Sequence, residues 1–553
     1  MQWRTPSGES RDGSVARMVT GDRDNLHMLS LRIPRPGWKQ LLCAFTLCWA
    51  GAASAADPSW FDGDRLGLPT MQALALLRDA PSHGLDPQDY GFDALASAID
   101  AAMRQPGAVP GRELLAQAIT NAMESYLNDL HMGRIDPRQI YQRYRVPQRN
   151  GFDVGAELQR ALVAGRLEDA VRHAVPRVAQ YERLREALAQ YRAWTGHPAW
   201  QQPLPALPLA RQGLTRKLEP GQPWTGLVPL SQRLALLGDL PPAVPIPALY
   251  EGALVEAVQA FQRRHGLTVD GVIGRATLAQ LEVTPEARAR QIRLNLERLR
   301  WTPVLQARRM VVINVPEFVL RAYEVQDGRI RVRRSMKVIV GKALDTRTPL
   351  IDVDMRYIEF SPYWNVPSSI AREETVPRLR RDPGYFEREG FEFVTPAGQV
   401  ETSLSAARLD AVMAGALRIR QRPGPRNALG DIKFVFPNSE GVFLHHTPSV
   451  SLFERERRDF SHGCIRVERP VDLASFVMEG MPGWSEPAIV EAMALGTSST
   501  VRLAEPVPVL IAYGTALFKE GRMHFFEDIY GHDRLLEAAL LMRPAAPSRP
   551  VRN

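Results

Sequence analysis

The residues most able to do chemistry in this chain are a cysteine and a histidine that precedes it. Cys464 lies in Ser461-His-Gly-Cys-Ile-Arg-Val467, and His445 lies 19 positions earlier in Phe443-Leu-His-His-Thr-Pro448. That interval is long enough for a loop and a return strand to bring the two side chains together. A thiol beside an imidazole base is the arrangement that nucleophilic acyl transfer requires. The pattern therefore predicts Cys464 as the nucleophile and His445 as its base.

The same motif offers candidates for stabilising the oxyanion. Gly463 permits close backbone approach, so the amides near Gly463 and Cys464 are expected to point at a substrate carbonyl. A free thiol has a pKa of ~8.5, and a neighbouring imidazole is expected to lower that pKa substantially. Together these groups predict a working acyl-transfer site.

Two other interpretations of the cluster stay open from the residues alone. An isolated cysteine is often a small buried residue that fills space. His445, His446, His462 and Cys464 also include the ligand types that Zn²⁺ prefers. Consecutive residues of a strand point to opposite faces, so His445 and His446 are not expected to bind one ion together. The acyl-transfer chemistry itself requires no metal and no organic cofactor.

An export sequence is predicted at the start of the chain. Cys43 and Cys48 fall in an apolar run that follows basic residues and ends in Ala53-Ser-Ala55. A basic flank, a short apolar core and a small-residue exit predict a signal peptide over residues 1–55. The alternative is an uncleaved membrane anchor, although about 15 apolar residues are fewer than the ~20 that span a bilayer. Cleavage leaves Cys464 as the only cysteine, with no partner for a disulfide.

Composition limits the classes of protein to which the chain can belong. A length of 553 residues predicts several domains, because single cores stop growing at roughly 250–300 residues. The formal net charge of +8, from 69 basic and 61 acidic residues, suits an anionic partner such as a cell-wall polymer or a membrane surface. The sequence shows no blocks of like charge, zinc-finger spacing or second long apolar run, which argues against nucleic-acid binding and multi-pass membrane proteins.

The first half of the mature chain is predicted to be helical. Residues 57–222 show apolar residues at helical spacing and form a predicted helical scaffold. The Pro-rich stretch from Pro203 to Pro223 is expected to be a linker. Residues 226–284 contain two predicted short helices around a Gly-Leu-Thr-Val-Asp-Gly turn, and a helical connector follows over 286–300.

The second half is predicted to be rich in strands, which makes the whole chain a multidomain α+β protein. Residues 308–500 contain β-branched and alternating runs bounded by turn residues. Within them, a more polar and helical stretch at about 368–430 is expected to be an insertion that caps the site. Residues 501–553 are expected to form a C-terminal extension that packs on the catalytic domain.

Two sets of motifs resemble known families. The first set resembles the small three-helix peptidoglycan-binding module, and its residues are Phe261-Gln262, Gly266-Leu267, Asp270-Gly271, Gly274 and Thr277-Leu278. The second set resembles the L,D-transpeptidases with a YkuD-type catalytic domain, and it comprises His445-His-Thr-Pro448, Leu452-Phe453 and Ser461-His-Gly-Cys-Ile-Arg-Val467. The further segments Asn427 to Pro437 and Asp528-Ile-Tyr-Gly531 resemble the large Gram-negative class of these enzymes.

The resemblance implies roles for individual residues. Cys464 would be the nucleophile and His445 the general base, with its imidazole held by the backbone carbonyl of His446. His462 occupies a position that some large members fill with Ser, so it is not expected to be the essential base. Gly463, His446 and His462 would support the site or its oxyanion hole, and Arg466 would bind a substrate carboxylate.

The resemblance also implies a function in the periplasm. Cys464 would form a thioester with a tetrapeptide stem, release D-Ala, and pass the acyl group to an amine to give a 3→3 peptidoglycan cross-link. Alternatives are attachment of a lipoprotein to the wall or hydrolysis of stem peptides by the same site. A noncatalytic wall-binding scaffold is the alternative from another class. Expected partners are peptidoglycan stem peptides, other cell-wall synthases and a D,D-carboxypeptidase.

Overall fold

The computed structural model of the chain describes residues 59–104, 111–141, 144, 151–210, 215–302, 307–327 and 329–542. The predicted signal peptide, with Cys43 and Cys48, lies outside these ranges. No helix within the described ranges is both long enough and apolar enough to cross a membrane. The predicted multidomain α+β fold class is confirmed, because a helical N-terminal part and a small helical module precede a β-rich part.

The N-terminal part is a group of helices around its own apolar core. Two short strands, β1 (Phe61–Asp62) and β2 (Arg65–Leu66), lead into it. Along the helix Arg112–Met132, apolar side chains four residues apart share one face, and they are buried in the core. The helices are α1 (Leu68–Arg78), α2 (Phe92–Arg104), α3 (Arg112–Met132), α4 (Val154–Val163), α5 (Leu167–Ala174) and α6 (Ala179–Ala193).

The small helical module packs α7 (Leu227–Leu236), α8 (Ala253–Arg264) and α9 (Arg275–Glu282) around one core. The two helices predicted on either side of the Gly-Leu-Thr-Val-Asp-Gly turn are confirmed as α8 and α9. Gln262 fixes the turn, since its Nε2 donates to Asp270 Oδ1 at 3.0 Å and its Oε1 accepts from the Gly271 amide at 2.9 Å.

The Pro-rich stretch expected to be a linker belongs to this module. Leu204, Leu207 and Leu218 are buried in the core of the module, and Leu218 pairs with Ile273 in a short bridge. Apolar residues between the prolines gain burial by packing on the module. The linker prediction is therefore wrong for these residues.

The helical connector is confirmed as α10 (Pro285–Trp301), which lies buried between the other parts. Its charged residues have partners: Arg300 Nη1 lies 2.7 Å from Glu297 Oε2, and Arg298 Nη1 lies 2.5 Å from Asp533 Oδ1. Such pairing is necessary, because an unpaired charge in a protein interior is strongly destabilising. The connector is thus a structural centre onto which α6 and the C-terminal helix pack.

The β-rich part is dominated by one large mixed sheet. Its strands and those beside it are β3 (Arg309–Asn314), β4 (Val319–Gln326), β5 (Arg329–Gly341), β6 (Ile351–Phe360), β7 (Trp364–Asn365), β8 (Phe391–Val394), β9 (Val400–Glu401), β10 (Arg418–Gln421), β11 (Ile432–Val435), β12 (Leu444–His445), β13 (Asp459–Ser461), β14 (Ile465–Val467), β15 (Ser499–Ala512), β16 (Ala516–Lys519) and β17 (Arg522–Phe525). The large sheet runs β13-β5-β14-β12-β11-β6-β15-β3-β4, and β4 also pairs with β5. The sheet therefore closes on itself.

The central strands of this sheet separate an apolar face from a polar one. Successive side chains of a strand point to opposite faces. The helices α15 (Pro470–Val477) and α16 (Glu486–Ala494) contribute to the core on the apolar face. Fully buried on that face are Ile358, Phe360, Ile432, Phe434, Leu444, Ile465 and Val467. The intervening residues of the same strands are polar, and they form the site described below.

The insertion is more than a polar helical stretch. It combines α11 (Ser368–Ile370), a π-helical turn (Ala371–Thr375), α12 (Val376–Arg381), α13 (Tyr385–Arg388) and α14 (Ala406–Met413) with a sheet in the order β7-β10-β8-β9. Val376, Leu379, Phe386 and Phe393 form part of a separate core. The insertion between strands exists as expected, but it is a mixed α/β subdomain.

The C-terminal segment does not begin at residue 501 as expected. Strand β15 spans residues 499–512 and pairs with β6 on one side and β3 on the other. It is therefore an integral strand of the large sheet, and the predicted domain boundary at 500/501 cuts through it. The extension proper is the hairpin β16–β17 followed by α17 (His532–Met542).

A buried ion-pair group joins this hairpin to the small helical module. The Asp239 carboxylate is fully buried and accepts from Arg264 Nε at 2.9 Å, while Arg522 Nη1 on β17 lies 3.2 Å from the same carboxylate. Arg264 also reaches the backbone carbonyl of Met523 at 3.4 Å. His265 stacks on Phe525 with 5.9 Å between ring centroids. Charge pairing and ring stacking thus hold module and hairpin together.

Candidate active site

A row of polar side chains crosses the centre of the large sheet. Glu359 on β6 is paired with Lys433 on β11, and Lys433 is paired with His445 on β12. In the parallel β12–β14 pair, His445 stands opposite Arg466. Neighbouring strands lie about 4.8 Å apart, so these side chains line one face as close neighbours.

Cys464 and His445 are brought to this face together. Cys464 directly precedes β14, and the Ile465 amide donates to the Phe443 carbonyl at 3.1 Å, which places Phe443 beside Cys464. The rings of Phe443 and His445 touch edge to face with 5.7 Å between centroids. The thiol lies 3.8 Å from the Gly441 carbonyl oxygen. The interval of 19 residues contains a 3₁₀ turn (Val450–Glu454) and β13, after which the chain enters β14 parallel to β12.

The imidazole of His445 is held in one orientation. Its Nδ1–H donates to the backbone carbonyl of His446, which leaves Nε2 as the nitrogen able to accept a proton. Only 4% of the residue is exposed. Burial, followed by the charge of Arg466, lowers the pKa of His445 to about 3. The ring is therefore neutral at physiological pH and is available as a base.

The thiol of Cys464 differs from its expected electrostatic state. Burial raises the pKa of Cys464, and the Phe443 amide and the charges of Lys433 and Arg466 oppose that rise without cancelling it. The expectation that a nearby imidazole lowers this pKa is not met. A neutral imidazole supplies no positive charge to stabilise a thiolate. The thiol and the imidazole are therefore both neutral in the resting site.

Both backbone groups of Gly463 form hydrogen bonds within the protein. Gly463 has a φ of +111°, a conformation that glycine adopts without strain. Its amide donates to Ser461 Oγ at 3.2 Å, and its carbonyl accepts from Thr348 Oγ1 at 2.9 Å. The Gly463 amide is therefore already engaged, contrary to its expected role as an oxyanion donor. Of the two amides that the sequence indicated, the Cys464 amide remains as the candidate.

A tyrosine from the C-terminal extension braces the loop that carries the thiol. Tyr530 is buried, its hydroxyl donates to the Gly341 carbonyl at 2.6 Å, and it accepts from the Thr348 amide at 3.2 Å. Thr348 in turn holds the Gly463 carbonyl, and Thr346 Oγ1 donates to the Ser461 carbonyl at 3.0 Å. The segment Asp528-Ile-Tyr-Gly531 was identified from the sequence only by resemblance, and this contact of Tyr530 was not predicted.

The other two histidines of the motif each lie beside a carboxylate. His446 Nδ1 lies 3.3 Å from Asp431 Oδ2, and its ring packs against Gly430, where a Cβ atom would lie 2.7 Å from the ring. His462 Nε2 lies 2.7 Å from Glu374 Oε1 in the insertion. The four predicted zinc-ligand candidates therefore do not converge. Within the part of the chain that the structure describes, no group of three or more His, Cys, Asp or Glu is placed to hold a metal ion.

Two cations flank the pair of Cys464 and His445. Burial lowers the pKa of Arg466, and its Nε is buried without a hydrogen-bond partner among the described residues. Lys433 Nζ lies 3.0 Å from Glu359 Oε2 and 4.5 Å from the centroid of the Phe443 ring. Arg466 was a predicted site residue, whereas Lys433 and Glu359 were not predicted from the sequence.

Family models match three stretches of the chain. Residues 52–188 match a scaffold domain, residues 227–281 match a domain described as a "Putative peptidoglycan binding domain", and residues 308–490 match the YkuD family of L,D-transpeptidase catalytic domains. The last match contains Cys464, His445 and the whole polar row. This chain contains an L,D-transpeptidase catalytic domain.

A curated relative is similar to part of the chain. A protein of Haemophilus influenzae named "Putative L,D-transpeptidase" is 30% identical over 249 residues, which are 45% of this chain and 49% of the relative. The chain thus spans about half the length of this curated relative.

Solved structures show only a distant likeness. An L,D-transpeptidase from Xylanimonas cellulosilytica is 17% identical, covers 56% of this chain and all of its own, and has a TM-score of 0.18. A protein of Bdellovibrio bacteriovorus is 12% identical over 42% of this chain and 55% of its own, with a TM-score of 0.15. These TM-scores are too low to carry any argument about function.

The L,D-transpeptidase domain presents the groups that acyl transfer uses. A half-buried thiol, an oriented neutral imidazole and flanking cations lie on one face of the large sheet. Nucleophilic catalysis needs the nucleophile and its base in reach of each other, with the base oriented by a third group. Here the backbone carbonyl of His446 is that third group.

Proposed function

We propose that the protein is a periplasmic L,D-transpeptidase that forms 3→3 cross-links in peptidoglycan. The observation that carries the proposal is the placement of Cys464 beside His445 on one face of the sheet, with Nδ1 of His445 tied to a carbonyl. The match to a peptidoglycan-binding module supports the choice of polymer. Export by the signal peptide predicted over residues 1–55 is part of the proposal.

The first half-reaction makes a thioester. Cys464 Sγ adds to the carbonyl carbon of the third residue of a tetrapeptide stem, while His445 Nε2 takes the thiol proton. The negative charge that develops on the carbonyl oxygen needs a hydrogen-bond donor, and we assign that role to the Cys464 amide. The C–N bond to D-Ala then breaks, and the leaving amine takes the proton from His445. The acyl group is left on sulfur.

The second half-reaction makes the cross-link. The side-chain amine of diaminopimelate in a neighbouring stem attacks the thioester, the new C–N bond forms, and the C–S bond breaks. The departing sulfur regains a proton from the imidazolium that formed when the amine was deprotonated. One peptide bond is exchanged for another, so no ATP is required. Arg466, whose Nε lacks a partner in the described structure, is proposed to bind a carboxylate of the substrate.

The insertion is proposed to cap the donor groove and to help select the donor. Glu374 of the insertion contacts His462, two residues before the nucleophile, at 2.7 Å. This contact supports a cap that is coupled to donor binding through the loop that carries Cys464. A D,D-carboxypeptidase is the proposed source of the tetrapeptide donor, and other wall synthases are proposed partners.

The proposal is tested by the acyl-enzyme itself. Intact-protein mass spectrometry of the full chain with tetrapeptide muropeptides should show an acyl adduct, and both Cys464→Ala and His445→Ala should abolish it. His462→Ala is the matched control, because its side chain faces Glu374, and it should keep the adduct. An adduct that persists in Cys464→Ala would refute the assignment of the nucleophile.

The products distinguish the acceptor. Muropeptide analysis of cells with and without the protein should show 3→3 dimers that depend on Cys464. Protein-linked stems would indicate lipoprotein attachment, and tripeptides alone would indicate hydrolysis. If Cys464→Ala kept full biological activity while loss of residues 227–281 abolished it, the noncatalytic scaffold would be correct.

A further inference from the structure

Lys433 occupies the centre of the polar row, and the resemblance of its segment, Asn427 to Pro437, assigns the lysine no role. Its neighbours in register are Glu359 on one side and His445 on the other. It shares β11 with Ile432 and Phe434, which are fully buried on the opposite face. The alternation of the strand therefore sends the lysine side chain to the face that carries Cys464.

Two contacts fix the ammonium group of Lys433. Nζ lies 3.0 Å from Glu359 Oε2 and 4.5 Å from the centroid of the Phe443 ring, and 18% of the lysine side chain is exposed. An ammonium group over an aromatic face is attracted by the negative face of the ring. Phe443 is also the residue that lies beside Cys464 across the β12–β14 pair. The contact with Phe443 thus keeps the charge on the side of the thiol.

We propose that Lys433 is a positioning residue whose ammonium, held by Glu359 and Phe443, stabilises negative charge on Cys464 Sγ while His445 holds the thiol proton. The inference rests on the proposed function only in taking Cys464 as the nucleophile. The substrate and the acceptor do not enter it.

The electrostatics of the site show why a cation near Cys464 matters. Burial raises the pKa of Cys464, and Lys433 and Arg466 are the cations whose charges act in the opposite direction. Burial also lowers the pKa of His445, so the imidazole alone does not stabilise a thiolate before it is protonated. A positive charge within ~4–6 Å of an ionising group favours the charged form, typically by about one pKa unit or more.

The charged groups of the polar row come from four neighbouring strands. Lys433 lies on β11, His445 on β12, and Arg466 on β14, while Glu359 on β6 partly offsets Lys433. Arg466 has no carboxylate partner in the described structure and is the cation expected to receive substrate. Lys433 already has a fixed partner, so its charge is present whether or not substrate is bound.

The test measures the reactivity of Cys464 against pH. The rate of alkylation by iodoacetamide is followed in the full-length protein by mass spectrometry of the peptide that contains Cys464, which excludes signal from Cys43 and Cys48. Lys433→Met should move the midpoint of the profile upward by about one pH unit and slow alkylation at neutral pH about tenfold. Lys433→Arg should restore most of the rate because it keeps the charge.

A matched lysine controls for general effects of losing a charge. Lys337 on β5 is also ion-paired, with Glu454 at 3.5 Å, and lies outside the polar row. Lys337→Met should leave the alkylation profile unchanged. A folded Lys433→Met protein whose midpoint equals that of the wild type would overturn the proposal.

Glu359→Gln separates an electrostatic role from a structural one. Removal of the carboxylate leaves the lysine charge unopposed, so the midpoint should move downward, opposite to the effect of Lys433→Met. If the pair only anchored β6 to β11, both variants would change reactivity in the same direction. Should Lys433→Met fail to fold, an unchanged or raised midpoint in Glu359→Gln would still reject the proposal. A shifted alkylation profile without any 3→3 product would reject the proposed function alone.

Discussion

Tyr530→Phe tests whether the C-terminal extension holds the nucleophile loop in place. The substitution removes one hydroxyl that donates to the Gly341 carbonyl and accepts from the Thr348 amide. Both backbone groups belong to buried residues, so each loses a partner without gaining water. An unsatisfied buried polar group costs about 1–3 kcal/mol. With some relaxation, the expected loss in free energy of unfolding is about 2–4 kcal/mol.

The functional effect should exceed what this loss of stability explains. Thr348 Oγ1 holds the Gly463 carbonyl next to Cys464, so a looser Thr348 displaces the loop that positions the thiol. A displacement of about 1 Å can slow a positioned reaction about a hundredfold. We expect acylation of Cys464 by a tetrapeptide donor to slow by about ten- to a hundredfold, at temperatures where the variant is fully folded.

Three measurements make the test complete. Urea unfolding gives the change in the free energy of unfolding. Acylation reactions quenched at successive times and measured by intact-protein mass spectrometry give the rate. Hydrogen exchange reports local opening of the backbone around residues 461–465. Tyr250→Phe is the matched control, because that buried hydroxyl donates to the Gly271 carbonyl in the small module. It should lower stability without slowing acylation. Acylation at the wild-type rate in a destabilised Tyr530→Phe protein would refute the brace.

Two further predictions concern pH and the insertion. Burial lowers the pKa of His445 and His532 to about 3 and that of His524 to about 4, against 6.5 in the unfolded chain. Below pH 6.5 the unfolded state therefore binds more protons than the folded state. The free energy of unfolding then falls by up to about 1.4 kcal/mol per pH unit for each histidine. Urea unfolding at pH 7.5, 6 and 5 should show this decline, and a flat or rising stability would contradict it. Glu374→Ala removes an exposed pair worth about 0.2–1 kcal/mol, so the KM for the donor should rise at most about fivefold with unchanged Cys464 alkylation. The neighbouring exposed Glu373→Ala should change neither, and equal loss of both readouts in Glu374→Ala would indicate misfolding.

Local sequence patterns predicted those features that depend on residues close together in the chain. The motif around Cys464 and the preceding His445 predicted a nucleophile and a base, because the two residues lie only 19 positions apart in the chain. The periodicity of apolar residues and the turn residues that bound each segment predicted strands of the sheet and the helices α8, α9 and α10. The alternation Ile432-Lys-Phe434 is compatible with a strand that has one polar face, but many exposed strand lysines share that pattern, so Lys433 was not predicted as a site residue.

The features that were missed depend on pairing between distant segments. Register alone sets Glu359, Lys433, His445 and Arg466 side by side, and register is fixed by the whole sheet. The Gly463 amide looked available until Ser461 supplied its acceptor. The Pro-rich stretch carried a usable signal in Leu204, Leu207 and Leu218, since large apolar residues gain burial by packing on a neighbouring core. The insertion likewise carried strand-like Phe391-Glu-Phe-Val394, which was outweighed by its polar flanks.

The link between Asp239 and the hairpin β16–β17 fixes the distance between the small helical module and Cys464. A module on a flexible tether would sample many distances from the catalytic thiol, and its effective concentration there would depend on tether length. Here a buried carboxylate, Arg264 and Arg522 clamp the module onto the extension that also supplies Tyr530. A polymer gripped by such a module meets Cys464 at one set distance. The protein would then join stem peptides at a constant distance from the point where the small module binds the polymer.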